Sequence, residues 1–276
     1  MELFAYWWGA FGLVVGSFLN VCIYRLPRRE SIVFPGSHCP HCGQGVRPYD
    51  NIPLLSYLLL RGTCRACGER ISLQYPMVEL LAGSAFYACA AKWGLTPPAF
   101  VNSIFLSIII VLIFTDYHHQ ILPNVLTLPG ILAGILLSPL QAAEFYQDAL
   151  SYSLASLVDA ANEETILPWA GSIAGALIGG GILFIVGAAY QALRKRQGLG
   201  MGDIKMMAMV GAFAGWRLAL FTIFVGSLLG SVLGIILILF GGRTLQTKLA
   251  FGTFLGAAAA LALFYGPAVF RWYSPA

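Results

Sequence analysis

Long apolar runs separated by short polar segments dominate this sequence. A helix needs about 20 mainly apolar residues to cross the hydrocarbon core of a bilayer. Candidate runs occur along the whole chain, at 4–24, 77–94, 99–116, 121–140, 168–192, 203–216, 217–240 and 250–270. The pattern therefore predicts an all-α polytopic membrane protein with about eight transmembrane helices.

The boundary between the sixth and seventh runs depends on two residues. Trp216 and Arg217 interrupt an otherwise continuous apolar stretch, and Trp favours the membrane interface whereas Arg avoids the hydrocarbon core. We therefore expect a break there. Seven spans are the alternative if the stretch is a single helix.

The composition supports the membrane assignment. Of 276 residues, 58% are hydrophobic and only 10% are charged, with a mean hydropathy of +0.78. So few charges cannot cover the surface of a soluble domain, and the lipid bilayer is the first predicted partner. The formal net charge is +4, but the basic residues mostly flank the apolar runs, and we expect no nucleic-acid binding.

The distribution of Lys and Arg predicts the orientation, since short loops rich in these residues stay in the cytoplasm. Two segments carry most of them: Arg25, Arg28, Arg29, Arg47, Arg61, Arg65, Arg70, Arg194, Lys195 and Arg196. The segment 141–167 instead has five acidic residues and no Lys or Arg. We therefore place 25–76 and 193–200 in the cytoplasm and 141–167 outside, with both termini outside if eight spans are present.

A single long polar segment, residues 25–76, follows the first apolar run. Its position predicts that the chain has three parts: a first transmembrane helix at 1–24, a small cytoplasmic insert at 25–76 and a membrane core at 77–276. The insert has few apolar residues, and a bound metal ion can supply the folding free energy that such a segment needs.

Two Cys-x-x-Cys pairs in the insert have metal-ligand spacing: Cys39, Cys42, Cys64 and Cys67. Two residues between thiols let both sulfurs reach one ion, and the 21 residues between the pairs allow a tetrahedral four-cysteine zinc site. Four thiolates leave no open position for water, so the predicted zinc is structural. The alternative is two disulfide or redox pairs, which the reducing cytoplasm disfavours.

Two histidines, His38 and His41, lie beside the first cysteine pair and could replace a thiol as ligands. Four cysteines already complete a zinc site, so we interpret the histidines as neighbours. Cys22 and Cys89 fall in apolar runs, where we expect them to pack as small hydrophobic residues.

Two aspartates, Asp116 and Asp203, lie at membrane depth, at the end of one apolar run and the start of another. A carboxylate in hydrocarbon costs free energy unless it faces a partner, water or substrate, so each is a candidate functional residue. The predicted orientation places both near the cytoplasmic face. Two such groups together can share one proton and hydrolyse a peptide, as in aspartyl proteases. The alternative is that both are interfacial helix caps.

Gly200 and Gly202 bracket Met201 immediately before Asp203. Glycine permits close backbone approach and unusual dihedral angles. We therefore expect an extended substrate to lie beside the acid at these two glycines.

Several motifs in order are more specific than either aspartate. They are GSFLNVCIYRLP, PGSHCPHCGQGVRPYDNIPLLSYLLLRGTCRACGERISLQYPMVEL, TDYHHQILPNVLTLP and GLGMGDIKMMAMVGAFAGW. In this order, and over most of the chain, they closely resemble the bacterial type IV prepilin peptidases. The Gly-x-Gly-Asp motif alone also occurs in other intramembrane aspartyl proteases.

The resemblance implies that Asp116 and Asp203 are the catalytic pair of an aspartyl endopeptidase of the bacterial inner membrane. It implies cleavage of the leader from prepilins or pseudopilins at the cytoplasmic face, followed in many zinc-bearing members by N-methylation with S-adenosylmethionine. A peptidase without methyltransferase activity is the alternative. The chain departs from the family at Asn124, which replaces an acid often seen after the Leu-Pro turn, and in a longer acidic stretch before Trp169.

Three further polar residues, Glu79, Asn20 and Arg25, are weaker candidates. Glu79 lies near the start of the second run, where the helix dipole favours a carboxylate. The family also carries this glutamate, so it could bind the methyl donor or the substrate amine. Asn20 and Arg25, together with Ser17, could form a polar seam with it or simply pack helices.

The sequence therefore predicts proteolysis and N-methylation of type IV prepilin-like substrates. A polytopic transporter is the first rival, because intramembrane acids and glycine-broken helices also build ion pathways, although the sequence has no clear internal repeat. A zinc-dependent membrane scaffold is the second rival, and it would leave both aspartates unexplained.

Overall fold

The computed structural model describes residues 2–159, 161–196, 198–241 and 250–273. Its helices are α1 Glu2–Arg25, α2 Leu55–Leu59, α3 Gln74–Trp93, α4 Pro97–His119, α5 Asn124–Leu137, α6 Ala149–Asp159, α7 Glu163–Arg194, α8 Met201–Gly241 and α9 Phe251–Tyr273. Within these residues the β pairing is limited to two isolated bridges in the insert. The predicted all-α fold class is confirmed.

Several helices are suited to a membrane. Those long and apolar enough to cross one are Glu2–Arg28, Pro97–His119, Glu163–Arg194, Met201–Phe240 and Phe251–Trp272, and Asn124–Leu140 is a shorter apolar helix. Large side chains such as Leu177, Phe184 and Leu239 remain exposed on these helices, as expected for a surface that contacts lipid. The count of eight spans stays a prediction.

The chain divides into two compact units, Met1–Val111 and Leu112–Ala276. The division predicted from polarity, into 1–24, 25–76 and 77–276, stays a prediction. Each unit has its own helix packing and its own group of predicted site residues. The cysteines and the weaker polar candidates belong to the first unit, and both aspartates belong to the second.

In the first unit, α1 packs against α3 through small residues. A Cβ atom added at Gly12 would lie 2.7 Å from Phe86 Cβ, and one at Gly16 would lie 2.6 Å from Glu79 Cα. Glycine therefore allows the two helix backbones to approach closely. This packing places Glu79 directly against α1.

In the second unit, α7 and α8 make a similar contact. Gly171, Gly175 and Gly179 recur every four residues on α7. A Cβ atom at Gly175 would overlap the Gly211 carbonyl group of α8, and one at Gly179 would lie 2.6 Å from the Met207 carbonyl oxygen. This small-residue stripe fixes the first half of α8, which carries Asp203.

Helix α8 is broken at Gly215, whose φ of 77° and ψ of 168° are not helical. Glycine adopts such a positive φ at low cost. At the break, side chains donate hydrogen bonds to the carbonyl oxygens of Ala212 and Phe213. The donors are Tyr146, at 2.8 and 3.0 Å, Ser172, at 2.7 Å, and Gln141, at 3.1 Å.

The break predicted from Trp216 and Arg217 therefore lies one residue earlier, at the glycine. The segment after α5, predicted simply as an outside loop, packs into this break. The Trp216 indole N–H donates to the Asp148 carboxylate at 2.8 Å. Asp148 also accepts the Ser151 backbone N–H at 3.1 Å, which caps the start of α6.

We expect Gly175→Ala to destabilise the second unit, because its methyl group would collide with the Gly211 carbonyl group. Overpacking of this kind costs about 1–3 kcal/mol. Gly181→Ala, on the same helix, is the matched control, since nothing lies within 4 Å of a Cβ atom there. Thermal unfolding of the solubilised protein should show a lower midpoint for Gly175→Ala alone, and equal midpoints for the two variants would contradict the contact.

Candidate functional site

The two predicted aspartates lie together in the second unit. Asp116 is in the last turn of α4, with 5% of its surface exposed, and Asp203 is in the first turn of α8. Their carboxyl groups are close enough to interact electrostatically. Leu122 packs against both Gly202, which precedes Asp203, and Gly252, which faces Asp116. The structure therefore brings the pair into one site.

The hydrogen-bond environments of the two carboxyl groups differ. Asp116 Oδ2 accepts the Thr253 backbone N–H at 2.8 Å and the Thr253 hydroxyl at 3.2 Å, and the Gly252 N–H also contacts this carboxylate. Within the described part of the chain, the donor to the Asp203 carboxyl group is the Gly200 N–H. Donors stabilise a negative charge, so Asp116 is the better position for it.

Thr253 is a site residue that the sequence analysis missed. It lies in the first turn of α9, where backbone N–H groups have no partner within the helix. Asp116 accepts hydrogen bonds from this turn, which connects α4 to α9. The signal in the sequence is a lone hydroxyl at the start of an apolar run, which is too common to indicate a site.

Neighbouring polar residues have local partners. The Lys205 ammonium group donates to Asn124 Oδ1 at 2.9 Å, so the residue that departs from the family's acid still binds the lysine. Gly200 and Gly202 both lack a positive φ. Gly202 makes room for Leu122, 2.9 Å from where a Cβ atom would lie. A role for either glycine in substrate binding stays a prediction.

The four insert cysteines converge on one point in the first unit. Their Sγ atoms all lie within 4.8 Å of one another, and Cys39 Sγ is 3.9 Å from Cys67 Sγ. Tetrahedral zinc with bonds of about 2.3 Å requires sulfurs roughly 3.8 Å apart. The thiols are not joined as disulfides, and His38 and His41 are not part of the cluster. The cluster could hold a metal ion.

Each cysteine pair lies in the same kind of turn. The Cys39 N–H donates to Gln44 O and the Cys64 N–H donates to Glu69 O, at 2.9 and 2.8 Å. Gly43 and Gly68, which follow the pairs, have φ values of 70° and 72°. The two turns therefore present their thiols from equivalent backbone positions.

The charges of the thiols are linked. The backbone N–H groups of Cys67 and Ala66 lower the pKa of the Cys64 thiol to about 7. The Glu69 N–H lowers the pKa of Cys67, but loss of hydration and the neighbouring thiols outweigh it and raise that pKa to about 12. One thiolate therefore forms readily, and further thiolates need a cation among them.

Comparison with known proteins identifies the family. Residues 10–93 match the bacterial peptidase A24 N-terminal domain, and residues 103–235 match the type IV leader peptidase family. The chain belongs to the type IV leader peptidase family. The resemblance stated from the motifs is confirmed, and membership of a peptidase family makes the chain an enzyme, not a transporter or a scaffold.

Curated relatives in this family are named prepilin leader peptidase/N-methyltransferase. The chain is 40% identical over 241 residues to the protein of Myxococcus xanthus, covering 87% of this chain and 65% of that protein. It is 33% identical to those of Pseudomonas aeruginosa, over 285 residues, and Aeromonas hydrophila, over 291 residues, covering 95% of this chain and 90% and 91% of theirs. No solved structure was found to match the chain.

The weaker polar candidates of this family member are all buried in the first unit. Asn20, Arg25 and Glu79 are 3%, 6% and 7% exposed. The Glu79 carboxylate accepts the Leu54 N–H at 2.8 Å and contacts the Ser17 hydroxyl. The Asn20 amide donates to backbone carbonyl groups, while its Oδ1 atom has no partner within the described residues.

Arg25 closes one side of a cavity next to these residues. Its guanidinium group donates to Ser31 O at 2.9 Å and to Gly36 O at 3.2 Å. The cavity has a volume of about 300 Å³ and lies between α1 and the insert segments 32–37 and 51–53. Whether these residues bind the substrate or a methyl donor stays a prediction at this point.

We expect the Cys39→Ser, Cys42→Ser double variant to lose its bound metal, because two of four thiolate ligands are removed. The metal content of the purified protein, measured by elemental analysis, should fall from about one ion per chain to near zero. Cys22→Ala, which changes a cysteine outside the cluster, should keep its metal. Undiminished metal in the double variant would exclude the cluster as the binding site.

Proposed function

We propose that this chain is an intramembrane aspartyl endopeptidase that removes the leader from type IV prepilins or pseudopilins and then methylates the new amino terminus. The observation that carries the proposal is that Asp116 and Asp203 lie in one site at the ends of two membrane helices, where Leu122 packs against both Gly202 and Gly252. The family membership and the names of the relatives agree with both activities.

The unequal donors of the pair assign its roles. Asp116, with the Thr253 donors, is the carboxylate that accepts a proton from water, and the water oxygen attacks the scissile carbonyl carbon. Asp203 is the carboxylic acid that gives its proton to the carbonyl oxygen. The product of this step is an uncharged gem-diol, with the proton now on Asp116.

The second step restores the pair. Asp116 gives its proton to the amide nitrogen, the C–N bond breaks with its electron pair staying on nitrogen, and one gem-diol hydroxyl returns a proton to Asp203. The products are a carboxylic acid on the leader and a free amine on the mature chain. No charged intermediate is required, which suits a site at the edge of the hydrocarbon.

The site belongs at the cytoplasmic face of the bacterial inner membrane. Two basic segments, 25–76 and 193–200, are adjacent in sequence to the helix ends that carry the predicted site residues. The acidic segment 141–167 is next to the opposite end of the first half of α8. The positive-inside rule places the basic side in the cytoplasm. Prepilin leaders would meet the two aspartates there.

The metal in the insert is zinc with a structural role. Four thiols at tetrahedral spacing are a donor set that fits zinc and leaves no position for a reacting water. Cys39, Cys42, Cys64 and Cys67 would hold it, and its binding would fold the insert. We therefore expect metal loss to reduce methylation at least as much as cleavage.

The methyl donor is S-adenosylmethionine, which supplies an electrophilic methyl group to the new amine. Transfer breaks the S–C bond, leaves its electron pair on sulfur and releases one proton from the nitrogen. Glu79, Asn20, Arg25, Gly200 and Gly202 are the residues proposed to bind the donor or the substrate. A chain that only cleaves is the alternative, and a mass increase of the product by one methyl group distinguishes the two.

Asp116→Asn and Asp203→Asn should each lower leader cleavage by about 100-fold or more, because an amide can neither accept nor supply the required proton. Cleavage of a purified prepilin, followed by mass spectrometry, measures the effect. Asp159→Asn, at a half-buried acid of the second unit whose carboxylate binds Ala161 and Asn162, is the control and should cleave normally. Near wild-type rates in either site variant would refute the catalytic pair.

Thr253→Val should lower kcat for cleavage by about tenfold while KM stays unchanged, because it removes one hydrogen bond to a charged group without changing side-chain size. Thr253→Ser should restore the rate. Thr222→Val, which removes a buried hydroxyl that bonds only the Leu218 carbonyl group among the described residues, is the matched control. Equal losses in both valine variants would indicate a general packing effect and not positioning of Asp116.

A further inference from the structure

Two buried residues of opposite charge in the first unit do not pair with each other. Arg25 and Glu79 are 6% and 7% exposed, and no salt bridge joins them, whereas Arg65 and Asp50 do form one. A buried charge is costly unless an opposite charge compensates it. Backbone groups alone satisfy Arg25, and Glu79 receives a backbone N–H and a hydroxyl. Both charges therefore lack their strongest partner.

A cavity of about 300 Å³ is lined by Arg25 and by Ser17, the residue whose hydroxyl contacts Glu79. Its walls include Ser17, Phe18 and Arg25 on one face of α1 and Val33, Pro35 and Pro53 of the insert. Ser17 lines the cavity, and its hydroxyl group contacts the Glu79 carboxylate. The carboxylate therefore lies behind Ser17, outside the cavity lining. Eight residues separate Ser17 from Arg25, about 12 Å along the helix. The cavity lining thus combines apolar side chains with the Arg25 guanidinium group, and the Glu79 carboxylate lies behind Ser17.

The backbone is strained where it contacts Glu79. Leu54, whose N–H donates to the carboxylate at 2.8 Å, has a φ of 59°. A non-glycine residue adopts this conformation only when its surroundings impose it, and such residues are concentrated at functional sites. Pro53, immediately before Leu54, lines the cavity. The hydrogen bond from Leu54 therefore links the Glu79 carboxylate to the segment that forms one wall of the cavity.

Both insert walls of the cavity are attached to the cysteine cluster. Gly36, in the first wall, accepts hydrogen bonds from Arg25 and from His38, the residue before Cys39. Asn51, in the second wall, follows Asp50, whose carboxylate binds the Arg65 guanidinium group between Cys64 and Cys67 at 2.6–3.1 Å. A metal ion that fixes the cysteines would fix both walls.

From this arrangement we propose that the cavity binds the methyl donor, with Arg25 holding the carboxylate of S-adenosylmethionine and the Ser17–Glu79 side facing its positively charged groups. The apolar walls would contact the adenosine. A ligand with separated opposite charges and a flat purine ring complements a site that has an arginine, an acid behind one wall and both apolar and polar lining residues. This inference rests on the methyltransferase part of the proposed function and gives the zinc insert its purpose, which is to build the donor site.

Binding of S-adenosylhomocysteine, the stable demethylated product, tests the proposal on the full-length, metal-loaded protein in lipid nanodiscs. Calorimetry should give a Kd that rises at least about tenfold in Arg25→Gln and in Glu79→Gln, since each loses an interaction with a charged group. Arg28→Gln and Glu30→Gln are the matched controls, because both are outside the cavity lining and Glu30 is exposed. They should bind as the unchanged protein does.

A third variant distinguishes weaker donor binding from a loss of folding. Val33 is 67% exposed and lines the cavity, so Val33→Trp fills the space without removing either charge or a buried side chain. It should also weaken binding at least about tenfold. All three variants should keep the bound metal and the thermal unfolding midpoint of the unchanged protein, which shows that the first unit is folded.

Photocrosslinking provides a second readout that is independent of activity. Ultraviolet irradiation with radiolabelled S-adenosylmethionine should attach the label within residues 14–37 or 51–53. Peptide mapping then locates it. Normal affinity in Arg25→Gln and Val33→Trp, or a label within α5–α9, would overturn the site. Lost methylation with unchanged donor binding would also overturn it, because the cavity would then hold the substrate amine.

Failure of the proposed function gives a different pattern. A chain that binds the donor in this cavity but cleaves no prepilin would refute the peptidase and leave the site standing. A chain that cleaves prepilin but binds no S-adenosylhomocysteine would refute the donor site and leave the peptidase standing.

Discussion

Lipid offers no hydrogen-bond partner, so each polar group within a membrane helix must be satisfied by another part of the chain. In the second unit this constraint explains the contacts around the candidate site. The carbonyl groups of Ala212 and Phe213 at the Gly215 break are bound by Tyr146 and other buried side chains, and the Asp116 carboxylate is bound at the first turn of α9. These contacts also set the positions of the helices that carry Asp116 and Asp203.

The helices could be predicted because the length of an apolar run is a local property of the sequence. The interruption of α8 was predictable in the same way, from Trp216 and Arg217, although the break lies at the adjacent glycine. The packing of 141–148 into that break was not predictable. Its hydrogen bonds join residues such as Tyr146 and Ala212, 66 positions apart, and a pairing of this kind leaves no periodic pattern.

The same difference applies to the candidate sites. The cysteines and aspartates could be identified because their residue types are unusual where they occur and because their spacing matches a known chemistry. Thr253 and Leu54 could not, since each acts largely through a backbone N–H, which every residue except proline has. The opposite charges of Arg25 and Glu79 were visible in the sequence, but their failure to pair and the cavity beside Arg25 required the three-dimensional structure.

The break at Gly215 turns the first half of α8 into a separate short rod. Residues 201–214 span about 21 Å, with Asp203 near one tip and the clamp of Tyr146, Ser172 and Gln141 at the other. The position of Asp203 along the axis of its helix is therefore set by contacts at the far end of that helical segment. A substitution in 141–148, the segment that binds this break, can therefore change the position of a carboxyl group at the other end of the same helical segment.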